Sequence, residues 1–491
     1  MRIDTTKNSV EKLWNESVIP ALSEYIKIPC KSPSFDRDWD KNGYIEDAVK
    51  LLKDWCDQQA IRGLKSEIVR IDGRTPLLFI EIDGDSTERI LLYGHYDKQP
   101  EFDGWRDDLG PWLPVIESGK LYGRGSADDG YALFSYITAI KLLQEQNKPH
   151  ASCAIIIEGC EESGSYDLPF YMQKLEKKIG IPSLIICLDA ECGNYDQLWC
   201  TTSLRGNLVG ILSVEILNEG VHSGSASGIV PSTFRIAREL LNLVEDSQTG
   251  EILCEALHTE IPQKNLEQIK LASDVLSDSI YTKFPWANLT HSPSRSPYEM
   301  MLDNTWRPIL SVTGADGLPE SKVAGNVLLP NLNLKLSFRL PPNVDTEHAS
   351  KKIKEIFESN APHNCIVKFE SESAMSGWNA PVTAEWLEKS SQAASEEFFG
   401  KPAVFMGAGV SIPLMGILGE KFPEAQFLVT GVLGPNSNAH GPNEFLDLNT
   451  AKNLCNNLMN DYYNIMSERI SEFKKAPPPQ DWDGVYIATS K

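Results

Sequence analysis

Residues 332–340, LNLKLSFRL, alternate apolar and polar positions without a break, whereas residues 153–159, CAIIIEG, are apolar almost throughout. The two patterns need different surroundings. Strict alternation gives a strand one covered face and one wet face, the habit of antiparallel sheet. A continuous apolar run needs cover on both faces, as in a mostly parallel sheet sandwiched by helices. Two kinds of sheet point to two domains, and 491 residues are in any case too many for one hydrophobic core.

The doubly covered runs are PLLFIEI (76–82), RILLYGHYD (89–97), CAIIIEG and SLIICLDA (183–190). Between them the periodicity changes to 3.6, the helical value. Ala48, Leu51, Leu52, Trp55 and Cys56 share one face of such a helix, and YALFSYITAIKLLQEQ (131–146) reads as a second, more apolar one. In LNLKLSFRL, Leu332, Leu334, Leu336, Phe338 and Leu340 point one way, and Asn333, Lys335, Ser337 and Arg339 the other. CIVKFESE (365–372) alternates too, and PSTFRIARELLNLVED (231–246) reads as a helix with Pro231 suited to its first turn. PAVFMGAG and AQFLVTGVLG then return to the doubly covered type. The expected fold is therefore α/β. A larger domain with a sandwiched, mostly parallel sheet is formed by residues 1–204 and 378–491. It is interrupted at 205–377 by an α+β domain of antiparallel sheet and helices. The proline-bearing stretch KKAPPPQDWDGVY (474–486) reads as a surface extension.

Acidic residues outnumber basic ones 68 to 46, a formal charge of −22. A field of that sign repels phosphate backbones and anionic lipid, so nucleic acid and membrane surfaces are poor partners. No apolar run approaches the length of a membrane span, and the first residues lack the apolar core of a secretory signal. The ten cysteines are scattered without a C-x-x-C pair. Free thiols in a reducing cytoplasm are the expectation.

The acids that carry chemistry cluster where strands end. LLYGHYD ends in His95 and Asp97, AIIIEGCEESGS in Glu161 and Glu162, and LIICLDAE in Asp189 and Glu191. RGSADDG places Asp128 and Asp129 just before a helix, and GPNSNAHGPNEF offers His440 in a loop. In parallel sheets the carboxyl ends of strands form the ligand crevice. A lone histidine or acid there would mean little. Several carboxylates in one crevice repel each other, and some must protonate unless a cation neutralises them. Imidazole with carboxylate suits zinc, with manganese or cobalt as alternatives. Two such ions sharing a carboxylate form a hydrolytic site, with a water between them as nucleophile. Full forms of G-x-G-x-x-G, H-E-x-x-H and G-x-S-x-G are absent, which argues against a dinucleotide site, a one-zinc protease helix and a serine nucleophile.

GHYD, YGRGSADDG, EGCEESGS, VHSGSASG and NSNAHGPNE occur in one order along the chain. In that order and near that spacing the set resembles the co-catalytic metallopeptidases. These include carnosinase-like dipeptidases, aminoacylases, succinyl-diaminopimelate desuccinylase and glutamate carboxypeptidases. KLSFRLPPNVD, GVSIP and the chain's size are most similar to the dipeptidase branch. The resemblance implies a homodimer joined through the inserted lid domain, and two divalent ions. His95 and Asp189 would hold one ion, Glu162 and His440 the other, and Asp128 would bridge them, with a cis peptide to Asp129. Asp97 would accept the second ring N–H of His95 and fix its tautomer. Glu161 would be the general base. His222 would stabilise the oxyanion in the partner subunit. Without the resemblance it reads as a loop histidine capping a helix. Arg339 would clamp a substrate carboxylate, with Asn326 and Ser411 as further substrate contacts. Many relatives have DDKG where this chain has DDGY, so Gly130 stands in place of a lysine and that lysine's contacts are absent. The implied reaction is hydrolysis of a dipeptide or short peptide with a free C-terminal carboxylate. The alternatives are an N-acyl amino acid as substrate, or a non-catalytic relative.

Overall fold

The computed structural model describes residues 3–86, 88–293 and 296–459. The stretch at 474–486 lies outside them. The chain forms two compact units. One comprises the described residues through Thr201, Ala380–Phe405 and those from Ile417 onward. The other comprises Thr202–Asn379 and Met406–Gly416.

The first unit is built on a mixed sheet. Its strands run in the order Leu64–Val69, Leu77–Ile82, Ser152–Glu158, Arg89–His95, Leu184–Cys187 and Gln426–Val429. The Arg89–His95 strand is parallel to both neighbours, in register Arg89 to Ser152 on one side and Ile90 to Leu184 on the other. Gln426–Val429 is parallel to Leu184–Cys187, while the two strands at the other edge pair antiparallel. The apolar runs are buried as their composition requires: Ile155, Ile157, Leu184 and Ile186 are at most 1% exposed. Helices cover them. The helix Tyr131–Glu145 is buried at every position from Tyr131 to Ile140. The helix Tyr44–Asp57 buries Ile45, Ala48, Val49, Leu52, Trp55 and Cys56, with Leu51 half-buried at the edge of that stripe. The Trp55 ring meets Phe134 edge-on at 4.6 Å, which locks the two helices together. Burying side chains of this size contributes about 1.5–3 kcal/mol each.

The second unit carries a four-stranded antiparallel sheet in the order Ile309–Asp316, Asn331–Leu340, Gly206–Glu215, Ile366–Met375. On the central strand Leu332, Leu334, Leu336, Phe338 and Leu340 are buried, and Lys335 is exposed. Their cover is the helix Thr346–Ser359, whose Ala349, Ile353 and Phe357 are fully buried, together with Ile236, Ala237 and Leu240. The stretch read as a helix over 231–246 is helical only from Thr233 to Leu241, with Ser232 as N-cap and Pro231 ahead of it. The helix stops because Glu245 bridges back to Ile252, so the backbone finds its partners there.

No helix among the described residues is long and apolar enough to cross a membrane. No disulfide joins the ten cysteines, all of which lie among the described residues, and all but Cys365 are buried.

Candidate metal centre

The parallel register of the first unit delivers the site. Tyr93 is level with Cys187, so the ends of the two strands bring His95 and Asp189 to the same edge. His95 Nε2 stands 3.7 Å from Asp189 Oδ2 and 3.1 Å from Asp128 Oδ1. On the other side His95 is level with Glu158, and the chain continues from there into the short turn Glu161–Ser163. His440 lies in a loop whose Asn436, Asn438, His440 and Asn443 all have left-handed backbone. Its Nε2 is 2.9 Å from Asp128 Oδ2 and 3.1 Å from Glu162 Oε2. Two groups of metal-binding type result: His95, Asp128 and Asp189, and Asp128, Glu162 and His440. Asp128 belongs to both, one oxygen facing each. The Asp128–Asp129 peptide is cis.

The donor set fits divalent cations. Metal-free, the cluster is electrostatically frustrated. Burial, then the Asp128 charge, pushes the Glu162 carboxyl up to about 7 and Asp189 up to about 6. Burial also holds Glu161 well above the carboxylate range; His95 opposes this, and Asp189, Glu162 and Asp97 add to it. Hydrogen bonds to Asp128 and Glu162 outweigh burial and drive His440 up to about 11. Dications would resolve this repulsion. His440, held protonated by Asp128 and Glu162, must shed its proton to bind a metal. Titrating metal-free protein with zinc should therefore release at least about one proton per site, and apparent affinity should rise with pH. Calorimetry in buffers of differing ionisation enthalpy measures this. Zinc binding without proton release would show that these groups are not the ligands.

Asp97 makes contacts beyond those the sequence suggested. His95 Nδ1 lies 3.1 Å from the backbone carbonyl of Asp97 and 3.5 Å from its carboxylate, so the carbonyl is the nearer partner. The carboxylate accepts the backbone N–H of Glu161 at 3.1 Å and of Glu162 at 3.0 Å, one on each oxygen. It thus fixes the turn that carries both glutamates. Asp129 belongs to neither group and packs against Gly94, where a Cβ would come within 2.8 Å of its Oδ2. Burial, then the Asp189 charge, favours its neutral form.

Gly130 admits no side chain. A Cβ there would meet Gly125 O and Tyr25 Cε1, each at 2.4 Å. A buried lysine nevertheless stands beside this turn, supplied by residue 98. Lys98 Nζ donates to the carbonyls of Tyr25 and Ile28, both at 2.8 Å, and lies 3.9 Å from the Tyr25 ring. Burial lowers its pKa to about 8. Sequence reading passed over Lys98, and also Gln99, whose Nε2 donates to Glu162 Oε2 at 2.5 Å. Both lie in the strand-end motif but are not of ligand type.

The remaining candidates fall in the second unit, as two pairs. His222 is exposed and N-caps the short helix Ser223–Ala226, its Nδ1 accepting the Gly224 N–H at 3.1 Å. It sits beside Asn326, whose carbonyl accepts the Ser223 N–H at 2.9 Å. Arg339 Nη1 donates to Ser411 Oγ at 3.3 Å, and Ser411 Oγ donates to the carbonyl of Arg205 at 2.5 Å. Arg205 is buried and gives its guanidinium to the carbonyls of Asp303, Asn304, Arg307 and Arg339.

Residues 91–460 match the family model described as peptidase family M20/M25/M40. Among curated proteins, the chain is 25% identical over 371 residues to a cysteinylglycine-S-conjugate dipeptidase of Corynebacterium striatum, covering 73% of this chain and 77% of that protein. It is 24% identical over 465 residues to the Cys-Gly metallodipeptidase DUG1 of Saccharomyces cerevisiae, covering 88% and 93%. The solved structure of the dipeptidase Dug1p from Saccharomyces cerevisiae shares the fold, with a TM-score of 0.72 at 20% identity over 95% of this chain and 99% of that one. The family match spans three quarters of the sequence, and the chain is a hydrolase that belongs to peptidase family M20/M25/M40.

Proposed function

We propose that this hydrolase cleaves the peptide bond of dipeptides or short peptides with a free C-terminal carboxylate, using two divalent ions, zinc first among them. The observation that carries the reading is the division of Asp128, with Oδ1 3.1 Å from His95 and Oδ2 2.9 Å from His440. His95, Asp128 and Asp189 would hold one ion, and Asp128, Glu162 and His440 the other. Bound there, the ions would supply a Lewis acid for the scissile carbonyl and acidify the attacking water. Glu161 takes the proton from that water and delivers it to the leaving amine. Asp97 holds its backbone in place. His222 stabilises the developing oxyanion, reaching the site of the other subunit in a homodimer. Arg339, supported by Ser411, receives the substrate carboxylate, and Asn326 is a second contact. The two relatives named for Cys-Gly substrates support a dipeptide and make Cys-Gly the first to assay. The chain's place of action in this reading is the cytoplasm, in keeping with cysteines that form no disulfide.

The test sets Arg339→Lys against two substrates. A guanidinium fork matches a carboxylate in two-point geometry that an ammonium cannot reproduce. With a free-acid dipeptide, kcat/KM should fall more than about tenfold, the worth of roughly 1.4–3 kcal/mol for a charged hydrogen bond. With the amidated dipeptide, already a poor substrate, the loss should be far smaller. Equal losses would show that Arg339 does not read the carboxylate. Faster turnover of acetylated amino acids than of any dipeptide would overturn the substrate assignment.

A further inference from the structure

The two metal groups are supported differently. His95 and Asp189 follow directly from adjacent strands, whose ladder fixes their spacing. Asp128, Glu162 and His440 sit on three separate loops with no common ladder. A single buried ion pair joins those loops. Arg124 is 1% exposed and Glu444 is fully buried, and Arg124 Nη1 donates to Glu444 Oε2 at 2.7 Å. The rest of the guanidinium is spent on loop carbonyls. Nη2 donates to Gly441 O at 2.7 Å, next to His440, and Nε donates to Pro100 O at 3.2 Å, next to Gln99. Gln99 in turn holds Glu162. The other oxygen of Glu444 accepts the backbone N–H of Ala127 at 3.2 Å and, more weakly, that of Asp128 at 3.4 Å. Its own carbonyl accepts the N–H of Gly123 at 3.0 Å. Every loop that bears a donor of the second group is thus tied to this pair, the Glu162 turn through Gln99 and also to Asp97, while His95 and Asp189 follow directly from the sheet.

We infer that Arg124 and Glu444 are positioning residues that act more on one metal group, Asp128 with Glu162 and His440, than on the other, which shares only Asp128 with it and has His95 and Asp189 placed by the sheet. A planar guanidinium suits the task because it reaches three acceptors in fixed directions. The inference rests on the two-metal reading and adds an asymmetry between the ions that the ligand set alone does not contain.

Removing one partner would strand a buried charge and endanger the fold, whereas neutralising both partners together avoids this. The experiment therefore uses the full-length Arg124→Met/Glu444→Gln protein, in which the amide introduced at position 444 keeps an acceptor for the loop N–H groups. Metal-free parent and variant are dialysed against buffered zinc and their metal content is measured. The parent should bind two equivalents. The variant should bind the first with little change, and need about 10–100-fold more free zinc for the second, the usual cost of losing a supporting contact. At a free zinc that fills both groups of the parent and only the first of the variant, adding His440→Ala to the variant should remove no further metal, and adding Asp189→Ala should remove what remains. Two equivalents at parental affinity, or equal weakening of both ions, would overturn the inference alone. A parent that binds fewer than two ions would overturn the two-metal reading and this inference with it. Should circular dichroism show the double variant unfolded, Arg124→Lys carries the test, since it keeps the charge but cannot reach all three acceptors. Selective weakening of the second ion is again expected, and parental binding of both overturns the inference.

Discussion

In Glu161→Gln, metal content should stay at the parental level while turnover falls by about a hundredfold or more, the ordinary worth of a general base. The substitution keeps size and shape, and the backbone N–H of residue 161 remains bonded to Asp97. The variant removes only the capacity to take a proton. Neither metal group includes Glu161, so no ligand is lost. Its neighbour gives the contrast: Glu162→Gln should weaken metal binding directly, because Glu162 Oε2 lies 3.1 Å from His440 Nε2 within one of the groups. Elemental analysis with steady-state kinetics separates the two. Near-normal turnover with full metal in Glu161→Gln would exclude it as the base.

Asp128→Ala should lose both ions, and activity with them down to background, a larger effect than any single change elsewhere in the site. Each of its oxygens serves a different group, so one substitution opens both. Removing a ligand that belongs to one group, as in His440→Ala, should cost one ion. Asp129→Asn should retain both, because that carboxyl packs against Gly94 and already favours its neutral form. Metal counts in the three variants decide it. A full complement in Asp128→Ala would show that this residue is no bridge.

Much of the fold was legible because burial leaves its mark on composition. The runs around Leu92, Ile155 and Ile186 are apolar because both faces of their sheet are covered, and Leu332 to Leu340 alternate because theirs is covered on one. The strand Gly206–Glu215 escaped notice although its inward positions alternate just as regularly. Two of those positions are glycine, and at Gly210 a Cβ would meet the Phe369 ring at 2.5 Å, so the neighbouring strand fills the space the pattern left blank. His95 and Asp189 could be found as strand ends. That Asp128 faces both groups came from the resemblance, since nothing in a pair of adjacent aspartates says which one turns inward. The supports of the site were hidden for a different reason. Arg124 and Glu444 are 320 residues apart, and the Asp97 carboxylate acts on backbone N–H groups 64 and 65 positions away. Contacts between distant loops, and contacts to backbone, leave no periodicity to read.

In the proposed reading two ions flank one carboxylate. Crystals of the protein grown with zinc, with diffraction recorded on both sides of the zinc absorption edge, test it directly. Two anomalous peaks roughly 3.5–4 Å apart are expected, the spacing of two-metal hydrolytic sites. They should lie one on each side of Asp128, with Asp189 and His95 at the first and Glu162 and His440 at the second. A single peak, or two peaks that do not share Asp128, would contradict the account.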